Sequence, residues 1–362
     1  MKNKIANIFI VISCWLFFLV RGKADKKIKI DKIIVIQMAK LGDMVCTTPM
    51  FRAIKDRYPG SELIVIGNKI NKELLEHNPH IDSYISFDKG VLKLVKIIKG
   101  IKPDIVLITG PIFNLLAASF LANVPMIVAP DVLGGRCQFN TKSYRLCLKL
   151  VISKEHKMKC YAPREYLRLL EPIGVFTDDT EKYLGHSGDN MEVKNAVVIA
   201  TSAGNKLKIW GSKRFAELAD LICANGKNVF VVGSGSDQKY VDEMMKNVSH
   251  ESKIKNVCNK LSINEVKSLI SKSDFFIGAD TGLIYIAEAF KIPTIDITGP
   301  VDENEQPPTG KNHEVIFNNV WCRPCSFVMS TNRKCYNKEE PLACFNVSPE
   351  QVYKLYLEMI RT

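Results

Sequence analysis

The sequence predicts an α/β protein of two consecutive doubly wound halves, on three observations. The chain has 362 residues, long for one hydrophobic core and suited to two domains. Short aliphatic and β-branched runs alternate with segments of helical spacing, as parallel strands buried on both faces require. The alternation lapses once near the middle of the chain and then starts again.

The first half begins at Lys32 with the strand Ile33-Ile34-Val35-Ile36. Gly42 closes the turn, and 44–57 has helical spacing with Met50, Phe51 and Ile54 on one side. Leu63-Ile64-Val65-Ile66 is the next strand, closed by Gly67, and 104–108 is another, closed by Thr109-Gly110. Between 176 and 194 the text turns polar, through Asp178-Asp179-Thr180-Glu181 and Ser187-Gly188-Asp189-Asn190, which suits a linker. The second half repeats the pattern: strand 196–200, helix 214–223, strand 229–232 ending at Gly233, strands 275–277 and 294–297. Ser262-x-x-Glu265 is a capping box opening a helix that runs to about Ser271. Segment 349–360 reads as an amphipathic helix. The expected organisation is an apolar anchor and basic linker at 1–30, a Rossmann-like domain at 31–185, a second at 190–346, and a C-terminal helix at 347–362. Two Rossmann-like domains in this order make the GT-B architecture, with ligand expected in an interdomain cleft and at the carboxyl ends of the strands.

The composition is that of a globular protein, 46% hydrophobic and 24% charged, with a formal charge of +12. That charge favours anionic partners, and the chain carries no nucleic-acid-binding signature, so no nucleic acid is expected. The 11 cysteines are scattered; Cys46, Cys223 and Cys258 lie inside patterned elements and read as small apolar residues of a reduced, cytoplasmic chain. Residues 5–20 are apolar apart from Asn7 and Ser13, between Lys2 and Lys4 before them and Arg21, Lys23, Lys26, Lys27 and Lys29 after them. The stretch is shorter than the roughly 20 residues of a spanning helix, and its heavier basic flank keeps the body cytoplasmic. It reads as an uncleaved anchor or a helix dipping into the inner leaflet. The other readings are a misplaced start codon and a cleaved signal, whose one small-x-small site, Gly22-Lys23-Ala24, is crowded by basic residues.

Three turns follow strands and carry chemistry. Lys40-Leu41-Gly42-Asp43 opens a helix; Gly42 allows a tight turn, and Asp43 serves as N-cap or as general base for an acceptor hydroxyl, or as both. Gly278-Ala279-Asp280-Thr281-Gly282 precedes a helix. Its amides and the Thr281 hydroxyl suit a phosphate, while Asp280 suits sugar or ribose hydroxyls or a cap. Thr201-Ser202-Ala203-Gly204, with Lys206 and Lys208, can hold a diphosphate and neutralise it as it leaves, unless Lys208 is only a solvated surface lysine. Asp237, after Gly233-Ser234-Gly235-Ser236, is placed for a ribose or is simply part of a loop.

Together these turns resemble glycosyltransferase family 9, the ADP-heptose:lipopolysaccharide heptosyltransferases, from about Lys32 onward. The specific parts are Lys40-Leu41-Gly42-Asp43-Met44-Val45 with Thr48-Pro49, then Lys208-Ile209-Trp210, then Asp280-Thr281-Gly282-Leu283 followed by Gly299-Pro300. The resemblance implies that Asp43 is the catalytic base, with Lys40 and Gly42 in its acceptor-side loop. It implies that Lys208 binds phosphate near the hydroxyls of Thr201 and Ser202. By the same resemblance Asp280, Thr281 and Gly282 hold the donor and Asp237 meets its ribose. Where well-known members of the family carry a histidine after Asp-Thr-Gly-x-x, this chain has Tyr285. The implied reaction is an inverting single displacement from ADP-heptose or another nucleotide sugar. Its acceptor would be lipopolysaccharide or another anionic glycolipid, at the cytoplasmic face of the bacterial inner membrane. No Asp-x-Asp occurs, which fits a transferase that needs no metal or other cofactor.

Cys322-x2-Cys325, Cys335 and Cys344 stand close in sequence. Four such thiols make a structural metal site, a redox-sensitive cluster or plain reduced cysteines; no catalytic role is expected of them. Three rivals to a heptosyltransferase remain: a GT-B transferase using another sugar for a surface polysaccharide, a nucleotide-sugar epimerase, and a non-catalytic paralogue. A dinucleotide oxidoreductase is disfavoured because the first turn lacks Gly-x-Gly-x-x-Gly.

Overall fold

The computed structural model describes residues 2–21, 29–186, 192–202, 205–332 and 334–361. Gly22-Lys23-Ala24, Lys26, Lys27, the turn 187–190 and Ala203-Gly204 lie outside the described residues. Two compact units divide the chain, 1–72 with 78–181 and 73–77 with 182–362.

The first unit is built on six parallel strands: β1 (Lys32–Gln37), β2 (Glu62–Gly67), β3 (Ser83–Ser86), β4 (Ile105–Ile108), β5 (Met126–Leu133) and β6 (Ile152–Lys157). Their order is β3-β2-β1-β4-β5-β6. Ile33 to Ile36, Leu63 to Ile66 and Ile105 to Ile108 are all buried, which is why these strands read as unbroken aliphatic runs. One apolar core joins strand residues such as Ile34, Ile64 and Val106 to Leu116 and Phe120 of the helix Phe113–Leu121 and to Tyr144 of the helix Lys142–Leu148.

The second unit repeats the plan with β7 (Ala196–Ala200), β8 (Asn228–Val232), β9 (Ile254–Asn256), β10 (Phe275–Gly278), β11 (Thr294–Ile297) and β12 (His313–Ile316). The order β12-β11-β10-β7-β8-β9, again all parallel, is the same winding read from the other edge. Its core packs Val197, Val229 and Phe275 against Phe215 and Leu218 of the helix Ser212–Ala224. The C-terminal helix Pro349–Met359 adds Val352 and Tyr356 to that core. The capping box at Ser262 and Glu265 forms, and a second one at Ser348 and Gln351 starts the C-terminal helix. Cys46, Cys223 and Cys258 are buried; burial pushes the Cys223 and Cys258 thiols up to about 11.

In both sheets the winding reverses next to the first strand of its unit, between β1 and β4 and between β7 and β10. A doubly wound sheet opens its crevice at such a point, beyond the carboxyl ends of the strands. The turns after β1, β7 and β10 therefore stand where each half is built to meet a ligand.

Candidate functional site

In the first unit the turn after β1 is fixed by residues that carry no motif. Buried Gln37 accepts from the Ala39 amide (3.1 Å) and donates to Thr47 Oγ1 (2.9 Å). Asn68 and Asn71 donate to the Ala39 carbonyl at 2.8 and 3.1 Å. The helix then starts earlier than its spacing predicts, at Leu41, and runs to Arg57. Two expectations change. The N-cap is Lys40, with an exposed side chain that makes no cap bond, and Asp43 sits inside the first turn rather than at the cap. Gly42 is buried within the helix and is absent from the positive-φ residues, so the tight-turn role fails. The half-buried Asp43 carboxylate lies at the positive end of the helix, where an anion is favoured.

Thr48-Pro49 also has a physical reason. Pro49 lies inside the helix and lacks the N–H that would bond the Val45 carbonyl. The Thr48 hydroxyl donates to that carbonyl at 2.7 Å, and Thr47 donates to the Asp43 carbonyl at 2.7 Å. The helix thus keeps its first turns, and Asp43 its place, despite the proline.

The second unit gathers its site residues from the turns after β7, β8 and β10. Lys208 Nζ lies 2.5 Å from Asp280 Oδ2, with both side chains largely covered. This pairing decides the solvated-lysine alternative, since Lys208 is held. Trp210 anchors its loop: the indole is buried and donates to the Val347 carbonyl at 2.9 Å. Thr201 is buried, and its hydroxyl has no hydrogen-bond partner among the described residues. A buried orphan hydroxyl costs free energy unless something polar meets it. Asp237 accepts from the Ser234 amide and hydroxyl, both at 2.7 Å, and from the Ser202 hydroxyl. It therefore ties the β8 turn to the β7 turn.

Asp280 adopts φ 42°, in the left-handed region that aspartate tolerates better than most residues. Gly282, by contrast, has φ −60° and no special backbone need. Gly278 is required by contact, because a Cβ there would stand 2.7 Å from Thr281 Cγ2. Thr281 is buried; its hydroxyl accepts a long 3.5 Å bond from the Leu283 amide. Gly299 is likewise covered, since a Cβ would meet the Phe345 ring at 2.1 Å. Where the resemblance expects histidine, the buried Tyr285 donates to the Gln306 carbonyl at 2.7 Å.

Asp296 was not singled out from the sequence. It is buried on β11, and its Oδ1 accepts from the Asp280 amide at 2.8 Å. It helps hold the strained residue that in turn holds Lys208. Burial, with the Asp280 charge beside it, pushes its carboxyl well above the usual range. A carboxyl raised in this way takes up a proton on folding, so its contribution to stability falls as pH rises from about 3.9 toward the folded value. Its full cost is present above that value. Asp296→Asn keeps an acceptor oxygen and removes the charge. The variant should unfold about 2–4 °C higher at pH 8 for each kcal/mol gained, and show no gain at pH 4. Thermal melts at the two pH values check this; a loss at pH 8 would mean that the charge is used.

The four late cysteines share a place. Cys322, Cys325, Cys335 and Cys344 line one small cavity with Leu207 and Pro300. Burial, with neighbouring thiols adding to it, pushes Cys344 up to about 11 and raises Cys325. As placed, no group of three or more His, Cys, Asp or Glu among the described residues is disposed to hold a metal ion.

Comparison with known proteins adds to this geometry. The family described as glycosyltransferase family 9 (heptosyltransferase) matches residues 165–336. Lipopolysaccharide heptosyltransferase 3 of Escherichia coli K12 is 26% identical over 288 residues, covering 72% of this chain and 80% of that protein. The solved E. coli ADP-heptose lipopolysaccharide heptosyltransferase II superposes with a TM-score of 0.74 at 17% identity, covering 91% of this chain and 99% of that one. The iron-containing dodecameric glycosyltransferase TibC of enterotoxigenic E. coli matches with a TM-score of 0.62 at 18% identity, over 93% and 79% of the chains.

Proposed function

We propose, for a chain that belongs to glycosyltransferase family 9 and is therefore a glycosyltransferase, that it moves heptose from ADP-heptose to the inner core of lipopolysaccharide. Its place would be the cytoplasmic face of the inner membrane. The observation that carries the donor half of this reading is the Lys208–Asp280 pair together with the orphan Thr201 hydroxyl, which follow the neighbouring strands β7 and β10 of one unit. A diphosphate supplies the acceptor oxygens that Thr201 lacks and the negative charge that Lys208 complements.

In this reading Asp43 takes the proton of the acceptor hydroxyl as that oxygen attacks the anomeric carbon. The new C–O bond forms as the bond from that carbon to the diphosphate oxygen breaks, with inversion, and ADP leaves. Lys208, the Thr281 hydroxyl and nearby amides stabilise the charge that develops on the leaving oxygen. Asp280 and Asp237 then contact sugar or ribose hydroxyls while holding the loops. Because the protein itself supplies the cation, transfer should stay within about twofold of its starting rate in excess EDTA. Loss of transfer in EDTA, restored by a divalent metal, would remove metal independence from the proposal. The same preparation, assayed for bound iron or zinc, reports separately on the four thiols.

A second reading keeps the reaction and changes the donor sugar. Tyr285 favours it, because its hydroxyl is engaged on Gln306 where well-known members of the family present a histidine.

A further inference from the structure

The N-terminal helix Lys2–Arg21 is long and apolar enough to cross a membrane by length and composition. Its packing says otherwise. Ile10, Val11, Cys14, Phe17 and Phe18 follow the 3–4 spacing of a docked helix and pack on the core of the first unit. Cys14 is fully buried in the same core as Cys147 of the helix Lys142–Leu148. Phe17 meets Phe120 edge-on, with ring centres 6.0 Å apart. Arg21 donates to the Val124 carbonyl and lies over the Phe120 ring.

A helix docked along one side in water should show polar residues on the other. Here the outward side shows Ile5, Ile8, Phe9, Ile12, Leu16 and Leu19, each 48–75% exposed. Even Ser13 turns its hydroxyl back to the Phe9 carbonyl (2.9 Å). Such a contiguous apolar surface marks an interaction site. The helix Lys142–Leu148, packed against it, exposes Leu146 between Lys142, Arg145 and Lys149.

We propose that the N-terminal helix is an in-plane lipid anchor built onto the first unit. Its outward side lies in the headgroup–acyl boundary of an anionic phospholipid monolayer, with Lys142, Arg145 and Lys149 against the headgroups. Charge complementarity selects this occupant over a second copy of the chain, since apolar side chains beside basic ones match an anionic leaflet. A spanning geometry would place the docked helices, with their cations, in hydrocarbon, or strip away the packed seam. The inference deepens the membrane part of the proposed function and rests on it for its purpose. Its test needs no sugar transfer, so either can fail alone.

The full chain is floated with vesicles of phosphatidylcholine alone and with one third phosphatidylglycerol, at low and high salt. Binding should depend on phosphatidylglycerol and weaken in salt. Ile12→Glu with Leu16→Glu should reduce it by about tenfold or more, with the melting temperature unchanged. Lys142→Glu with Arg145→Glu should remove the preference for phosphatidylglycerol. Tryptophan placed at Ile5, Ile12 and Leu19 in turn should be quenched by brominated lipids at one common shallow depth. Graded depth along the helix would mean a span and overturn the proposal. So would absence of vesicle binding, or a vesicle-free oligomer that the same glutamates dissociate.

Discussion

Lys208→Ala should lower kcat/KM for sugar transfer by about 10²–10³-fold, the scale seen when one preorganised stabiliser of developing charge is removed. The expectation follows from Lys208 being held 2.5 Å from Asp280, with both side chains largely covered, so its position before substrate arrives is already set. The variant also has a structural cost. Asp280 loses its partner while Asp296 stays beside it, and two covered carboxylates without a cation repel. That cost should be about 1–3 kcal/mol and should fade as pH falls and one carboxyl takes a proton. The rate loss should not recover in this way. Melts and initial rates at pH 5.5 and 8, on the same protein, separate the two effects. Equal recovery of both would reduce Lys208 to a structural lysine.

Asp43→Asn should lower kcat by about 10²–10⁴-fold, the contribution of a positioned general base, and leave donor affinity unchanged. The competing account is electrostatic: Asp43 lies in the first helical turn without being its cap. A carboxylate there contributes about 0.3–1 kcal/mol to stability, too little to produce that rate loss. A variant that is slightly less stable but thousands-fold slower supports the base. One that melts lower and transfers normally returns Asp43 to the helix dipole. Thr47 and Thr48 hold the helix that carries it, so the folded fraction is measured alongside.

Most central strands were legible because burial on both faces disfavours polar residues in them: β1, β2, β4, β7, β8 and β10 stand out as apolar runs, and β11 as Thr294-Ile295-Asp296-Ile297. The strands that gave no signal are β3, β5, β6, β9 and β12. Four of them are short or carry exposed polar residues, as in Ile152-Ser153-Lys154-Glu155-His156-Lys157, and β5 contains Pro130 and Asp131. The three candidate turns were found because each follows a legible strand. What the sequence hid is tertiary. Asp296 sits in a run that reads simply as a strand, and only folding brings its carboxylate to the Asp280 amide. Gln37, Asn68 and Asn71 look like ordinary polar residues until the Ala39 turn closes on them. The first-turn glycine misled in the opposite direction, since Gly42 is needed for no left-handed backbone. Spacing did group the late cysteines, and they do share one cavity.

The most direct test of the central claim is transfer itself, with purified full-length chain, ADP-heptose and a lipopolysaccharide truncated before its heptoses. Heptose should appear on the acceptor as ADP is released in equal amount, while other nucleotide sugars give little product. A folded chain that binds ADP yet moves no heptose, or that transfers a different sugar efficiently to the same acceptor, would contradict it.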